Sequence, residues 1–210
     1  MSGDVAKAKR LGILLSGRGS NFAAIAAAIR EGLLRDVEIA VVISNREDAG
    51  GLEIARELGL AWRAFPSKGV KRAEHDRAVL EVLWEFGVEL VCLAGYMRVL
   101  TAEFVGAFPG AILNIHPSLL PAFVGLDVQR AALEYGVKVA GCTVHFVDEA
   151  VDHGVIVLQK TVEVQDGDTA ETLAARILAE EHTAYPEAIE RVVSGHWQVV
   201  GRRYVRKVLG

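Results

Sequence analysis

Short, continuous apolar runs alternate along this chain with longer Ala-rich or amphipathic segments, and that alternation restricts the fold to a sheet wrapped by helices. Residues 10–15 read as a buried strand, 21–31 as an Ala-rich helix and 37–43 as a second buried strand. The pattern repeats with a helix over 50–58, a short strand over 61–65, an amphipathic helix over 72–86 and a strand over 88–93. Strands separated by helices pair in parallel through right-handed crossovers. A short helix over 102–107, a strand over 111–115 and a helix over 128–135 continue the series. The rhythm then changes. Segments 138–147 and 155–164 are two strands joined by a short loop, which predicts an antiparallel hairpin added to a mostly parallel, doubly wound sheet of the Rossmann type. A helix over 169–193 closes the series, and 197–200 with 204–208 forms a terminal hairpin. No linker, repeat or low-complexity segment interrupts it, so the expectation is one domain over 1–210.

Composition narrows the class. The chain has 210 residues, 51% hydrophobic, and a formal net charge of -4, enough to bury a substantial core and too acidic to suggest nucleic acid as a partner. No apolar run is long enough to cross a bilayer, and residues 1–10 lack the apolar centre of a signal peptide, so the expected location is cytoplasmic. Cys92 and Cys142 lie in apolar strand-like runs, where reduced, buried thiols are the default. Basic clusters over 7–10 and 202–207 read as solvated tails or edge strands.

Three stretches can carry chemistry. Asn114-Ile115-His116-Pro117-Ser118-Leu119-Leu120-Pro121 ends an apolar strand with a carboxamide and an imidazole on one strand face. Such a pair can polarise a carbonyl, stabilise an oxyanion and move a proton near neutral pH; alone, it reads more readily as a strand-end turn. Ser16-Gly17-Arg18-Gly19-Ser20-Asn21 stands between the first strand and first helix. That is where a doubly wound sheet offers its ligand crevice and where backbone N–H groups attract phosphate. It lacks the third glycine of a dinucleotide fingerprint and the Gly-Lys-Ser/Thr of a nucleotide triphosphate loop, so a phosphate monoester fits it best. Ser20 or Asn21 is expected to cap the helix or bond the phosphate.

The third stretch runs from Gly141 to Gly154, a strand followed by an acidic loop in which Asp152 can orient His116 and favour its protonated form. His145 and His153 do not have zinc-ligand spacing, and no metal is assigned. Beside the crevice, Tyr96-Met97-Arg98-Val99-Leu100 follows the fourth strand and offers a wall for a flat ring.

Taken together, Asn114-x-His116-Pro117-Ser118-Leu119-Leu120-Pro121, the Gly-x-Thr-Val-His-Phe-Val run ending in Val151-Asp152-x-Gly154, and Ser-Gly-x-Gly-Ser-Asn resemble the phosphoribosylglycinamide formyltransferase family nearly end to end. The resemblance implies a formyltransferase-like fold, a role in purine biosynthesis and 10-formyltetrahydrofolate as cosubstrate, with no metal. It implies that Gly19, Ser20 and Asn21 bind the phosphate of the ribosyl glycinamide, with Pro117 and Glu181 as further contacts to that substrate. Met97, Arg98, Val99, Leu100, Asn114, Val147 and Asp148 are similar to the family's folate pocket, and Arg72 resembles a basic residue near the folate tail. Asn114, His116 and Asp152 match its catalytic trio.

The implied reaction is direct attack of the glycinamide amine on the formyl carbon. The oxyanion is stabilised by His116 and Asn114, Asp152 holds the imidazolium, and no covalent enzyme intermediate forms. The partners implied are small molecules, in a monomer or homodimer. Two departures stand out. Phe123-Val124-Gly125-Leu126-Asp127 lacks the family's second proline before the glycine and the histidine that often follows Gly-Leu, which frees the unbound loop. His153-Gly154-Val155 stands where the family usually has a small or polar residue, Gly and Pro, which is expected to loosen the folate-side loop. The nearest rival is 10-formyltetrahydrofolate hydrolysis by a deformylase. Longer tRNA and sugar-nucleotide formyltransferases and a catalytically silent phosphate-binding module are further alternatives.

Overall fold

A computed structural model describes residues 8–208. Residues 1–7, with Lys7 of the N-terminal basic cluster and most of the stretch scanned for a signal peptide, lie outside the described residues. The elements are β1 (Lys9–Leu15), α1 (Ser20–Arg30), β2 (Val37–Ser44), α2 (Gly50–Glu57), β3 (Trp62–Ala64), α3 (Arg72–Glu85), β4 (Leu90–Leu93) and α4 (Ala102–Ala107). They continue with β5 (Ile112–His116), α5 (Val128–Tyr135), β6 (Val139–Phe146), β7 (Ile156–Glu163), α6 (Ala170–Val193), β8 (Trp197–Val200) and β9 (Arg203–Arg206). They group into two compact units that divide between Ala111 and Ile112.

The first unit is the α/β part. Its strands lie in the order β3-β2-β1-β4, each pair parallel. All four residues of β4 and the last five of β1 are buried, as continuous apolar strands must be when helices cover both sheet faces. Leu11, Ile13, Phe22, Ile25, Val41 and Leu83 are fully buried in its core. The strand expected from residue 88 starts at Leu90. Val88 N–H instead returns to the Leu83 carbonyl, so Gly87 (φ 58°) and Val88 still belong to the turn that ends α3.

The second unit carries the predicted change of rhythm. β5, β6 and β7 run antiparallel, β9 joins β7 in parallel through Ile156 and Arg203, and β8 pairs antiparallel with β9. Helix α6 starts at a reciprocal cap in which Thr169 and Thr172 each bond the other's backbone N–H. Its apolar face, with Leu173, Ile177, Tyr185 and Ile189 buried, packs on β6 and β7. The Tyr185 hydroxyl donates to the Leu113 carbonyl at 3.0 Å. No helix among the described residues is long and apolar enough to cross a membrane.

Candidate active site

The register of β5 against β6 assembles the polar cluster. Asn114 pairs with His145 and His116 with Thr143, and residues directly opposite in an antiparallel pair project to the same face. Four polar side chains therefore line one patch of sheet. His116 ends β5 and is 5% exposed; Thr143 is completely buried.

Within the patch the hydrogen bonds fix tautomers. The His145 Nδ1–H donates to the Phe146 carbonyl at 2.7 Å, which leaves Nε2 to accept from the Asn114 Nδ2–H at 3.2 Å. One of the two amide hydrogens of Asn114 is thereby fixed and the plane of its carboxamide is set. Burial pushes His145 below its ordinary value of 6.5, against the opposing pull of the Phe146 carbonyl. His145 is thus held neutral, as an acceptor at Nε2 must be.

His116 is held from two sides. Its Nε2–H donates to the Phe123 carbonyl at 2.9 Å, and its Nδ1 lies 3.4 Å from Asp152 Oδ2. Asp152 also accepts the Gly125 N–H at 3.1 Å through Oδ2, while Oδ1 lies 3.8 Å from His145 Nε2. The structure therefore brings Asn114, His116 and Asp152 together, and adds His145 as the residue that orients Asn114.

The loop after Pro117 is fastened by one hydroxyl. Thr143 Oγ1 donates to the Ser118 carbonyl at 2.7 Å and accepts from Leu120 N–H at 3.0 Å and Gln159 Nε2 at 2.9 Å. Gln159 Nε2 also donates to the Leu120 carbonyl, and the Ser118 hydroxyl to the Ala122 carbonyl. The path of residues 118–122 is set by β6 and β7.

Glu181 is buried on α6, and its carboxylate acts on the Cys142 thiol. Burial, reinforced by that carboxylate, pushes Cys142 up to about 12. Cys142 alternates with Thr143 along β6, so it faces away from the patch of Asn114 and His116. Val147 continues β6 by donating to the Ile112 carbonyl, and Asp148 accepts from Ala150 N–H and His153 Nδ1.

In the first unit the loop 16–21 has the form of an anion cradle. Gly19 has φ 76°, and a Cβ there would stand 2.6 Å from Gly51 Cα. The loop leans on the start of α2, where Gly51 N–H donates to the Gly17 carbonyl at 3.0 Å. Gly19 occupies the cap position of α1, Ser20 is the first helical residue, and the helix has no side-chain cap. Of the two roles expected of Ser20 or Asn21, capping the helix or bonding the phosphate, the cap is not made: a left-handed Gly19 turns the chain into the helix without one. Backbone N–H groups at a helix start of this form attract an anion. Asn21 is buried.

The same unit joins this loop to the segment after β4. Ser16 N–H donates to the Gly95 carbonyl at 3.1 Å, and Ser16 Oγ accepts from Met97 N–H at 2.8 Å. Met97 and Val99 are exposed, whereas Leu100 is buried. Arg98 has a buried Nε, and Asp76 of α3 accepts the following Thr101 N–H at 2.8 Å. Arg72 is the exposed first residue of α3.

Sequence reasoning missed Gly51, and it named Ser16, Thr143 and His145 without the roles the structure gives them. The signal for Thr143 and His145 was their alternation along β6, which becomes informative only with the register against β5. Among the described residues, no group of three or more His, Cys, Asp or Glu is arranged to hold a metal ion.

With this geometry in hand, comparison with known proteins is specific. Residues 9–189 match the family described as Formyl transferase. The trifunctional purine biosynthetic protein adenosine-3 of Gallus gallus is 46% identical over 90% of this chain, but the match covers 19% of that protein. The chain thus spans about a fifth of the length of such relatives. Phosphoribosylglycinamide formyltransferase of Bacillus subtilis (strain 168) is 41% identical, covering 88% of this chain and 95% of that protein. The crystal structure of glycinamide ribonucleotide transformylase 1 from Symbiobacterium toebii superposes with a TM-score of 0.91 at 53% identity, over 95% of this chain and 94% of that one. A formyltetrahydrofolate deformylase from Pseudomonas syringae shares the fold at TM-score 0.90 but 25% identity, over 96% of this chain and 66% of its own.

Proposed function

Since this chain belongs to the formyl transferase family, we propose that it moves the formyl group of 10-formyltetrahydrofolate to the amine of 5-phosphoribosylglycinamide, a step of purine biosynthesis. The observation that carries the reading is the cluster of Asn114, His116 and Asp152, with Asn114 oriented by a neutral His145. Amine attack on a formyl carbon needs a donor for the oxyanion, a proton carrier and a charge to hold that carrier, and the cluster contains one of each.

The roles follow from the hydrogen bonds. Asn114 spends one amide hydrogen on His145 and directs the second at the formyl oxygen. Protonated His116 donates through Nδ1 to Asp152, and its Nε2–H exchanges the Phe123 carbonyl for the developing oxyanion. The amine nitrogen forms its bond to the formyl carbon, the bond from that carbon to N10 breaks, and the proton lost by the amine reaches N10 through His116 or a water. Gly19, Ser20 and Asn21 hold the phosphate on backbone N–H groups and short polar side chains. Pro117 and Glu181 contact the remainder of that substrate. Met97 to Leu100 with Val147 and Asp148 take the pterin, and Arg72 faces the folate tail. The folate is a cosubstrate consumed in each turnover. The reading treats residues 1–210 as one domain, since the family match runs unbroken from 9 to 189. It makes the protein a cytoplasmic enzyme of small molecules, a monomer or homodimer.

A deformylase reading replaces the amine by water with the same trio. The phosphate loop favours a phosphorylated acceptor. Formyl transfer to glycinamide ribonucleotide, measured with water as the control acceptor, tests both. Transfer in step with folate consumption is the expected result; formate release independent of the ribonucleotide would overturn it.

A further inference from the structure

We propose that the C-terminal hairpin β8–β9, through Arg202, is a positioning element for the loop that carries Asp152. Arg202 stands in the turn between the two strands, beyond residue 189 where the family match ends. Its Nη2 donates to the His153 carbonyl at 2.5 Å and its Nη1 lies 3.3 Å from His153 Nε2. The other ring nitrogen, Nδ1, is 2.8 Å from Asp148 Oδ2, and Asp148 Oδ1 accepts the Ala150 N–H at 3.0 Å. One consistent set of protons satisfies all of these: Nδ1–H donates to Asp148 and Nε2 accepts from Arg202. The two ends of the loop, Asp148 and His153, are thus clasped to each other and to the hairpin, with Asp152 the residue before His153.

Gly154 completes the hold. A Cβ at that position would stand 1.8 Å from the Phe146 carbonyl oxygen, so the chain runs hard against the end of β6 directly after His153. The hairpin is itself firmly seated. Tyr204 meets Phe146 edge-on at 5.4 Å and stacks on Trp197 at 5.7 Å, and the Arg191 guanidinium of α6 covers Trp197 at 4.8 Å. Arg202, Arg203, Arg206 and Lys207 are exposed, as a solvated terminal hairpin requires, and His153, where the family carries a small or polar residue, bonds back to Asp148 at the start of the acidic loop. A guanidinium, an imidazole and a carboxylate supply by side-chain bonding the stiffness that Gly-Pro would supply through the backbone.

The inference rests on the formyl transfer reading, and its test separates the two. Arg202→Ala, His153→Ala and the double variant are compared with the native chain for kcat/KM in each substrate and for amide hydrogen exchange over 149–154. Each single change is expected to lower kcat/KM for the folate about fivefold, with the double no worse than either, as for residues acting through one contact. KM for the ribonucleotide and the thermal midpoint stay unchanged, exchange over 149–154 accelerates about tenfold, and Arg202→Lys restores part of the loss. Additive effects of the two changes, or native exchange rates in Arg202→Ala, would overturn the clasp. A native chain with no formyl transfer but the same exchange response would sink the functional reading and leave the clasp standing.

Discussion

Replacing Thr143 by valine removes one oxygen at nearly constant shape from a site that is completely buried. That oxygen donates to the Ser118 carbonyl at 2.7 Å and accepts from Leu120 N–H at 3.0 Å and from Gln159 at 2.9 Å. Gln159 loses little, because it keeps its bond to the Leu120 carbonyl and reaches solvent. The Ser118 carbonyl and the Leu120 N–H are left in buried residues without this partner, at a cost of about 1–3 kcal/mol each. The added methyl returns about 1 kcal/mol of apolar burial. The expected net loss is therefore about 1–5 kcal/mol, read as a lower urea midpoint at unchanged m-value. Thr143→Ser keeps all three bonds and loses one methyl, worth about 1 kcal/mol. Because the same hydroxyl fixes residues 118–120 as they leave His116, kcat falls about tenfold in the valine variant and little in the serine variant. Refutation comes from a valine variant within about 0.5 kcal/mol of native stability, or from serine as damaging as valine.

Other consequences follow from the same geometry. His116→Ala and Asp152→Asn are expected to lower kcat by about 10²–10⁴-fold with circular dichroism unchanged; near-native turnover in either would remove it from the mechanism. His145→Phe fills the site but takes away the acceptor that orients Asn114, so kcat falls about tenfold while both substrates still bind by calorimetry. Burial lowers His145 below 6.5, so the unfolded chain binds its proton first as the pH falls. Its contribution to stability is whole above 6.5 and is lost on descent through the folded-state value. The thermal midpoint and kcat should decline together over that acid range, and the His145→Phe variant should lose the thermal part of the decline. Gly19→Ala forces a side chain into φ 76° and against Gly51, so KM for the ribonucleotide should rise while KM for the folate stays, as steady-state kinetics would report.

How much of this was legible in the sequence depends on distance along the chain. β1 and β4 announced themselves because strands buried on both faces read as unbroken apolar runs, and α1 and α5 because their periodicity is local. The trio Asn114, His116 and Asp152 was legible through a motif and a downstream acid. His145 was visible as a histidine on a strand, but its bond to Asn114 spans 31 positions and exists only in one register of β5 on β6; a slip of one residue would turn it to the opposite face. Arg202 and His153 are 49 positions apart, and no periodicity connects a loop to a hairpin turn. Gly51 reads as an ordinary helix start until a Cβ there is seen to meet the Leu15 side chain at 2.4 Å and Gly19 Cα at 3.2 Å.

Four non-glycine residues among those described have a left-handed backbone: Asp36, Phe123, Asp127 and Asp152. Three of the four are Asp152 itself or belong to the segment that touches His116 and Asp152. For a phenylalanine that conformation costs about 1 kcal/mol or more, and for aspartate somewhat less. Nothing local favours Phe123 at φ 54°; the hydrogen bond of its carbonyl to His116 Nε2 and that of Gly125 N–H to Asp152 offset the strain. Both bonds end on the groups that change charge or partner in the proposed formyl transfer. When the oxyanion takes the Nε2–H of His116, Phe123 loses the bond that holds it in a disfavoured conformation, and part of the strain is released as the transition state forms. Phe123→Gly removes the strain without removing the carbonyl. The relief is offset by the unfolded-chain entropy that glycine adds and by loss of the edge-on contact with Tyr135, so stability should change by less than about 1 kcal/mol while kcat falls, whereas a purely structural turn would leave turnover unchanged.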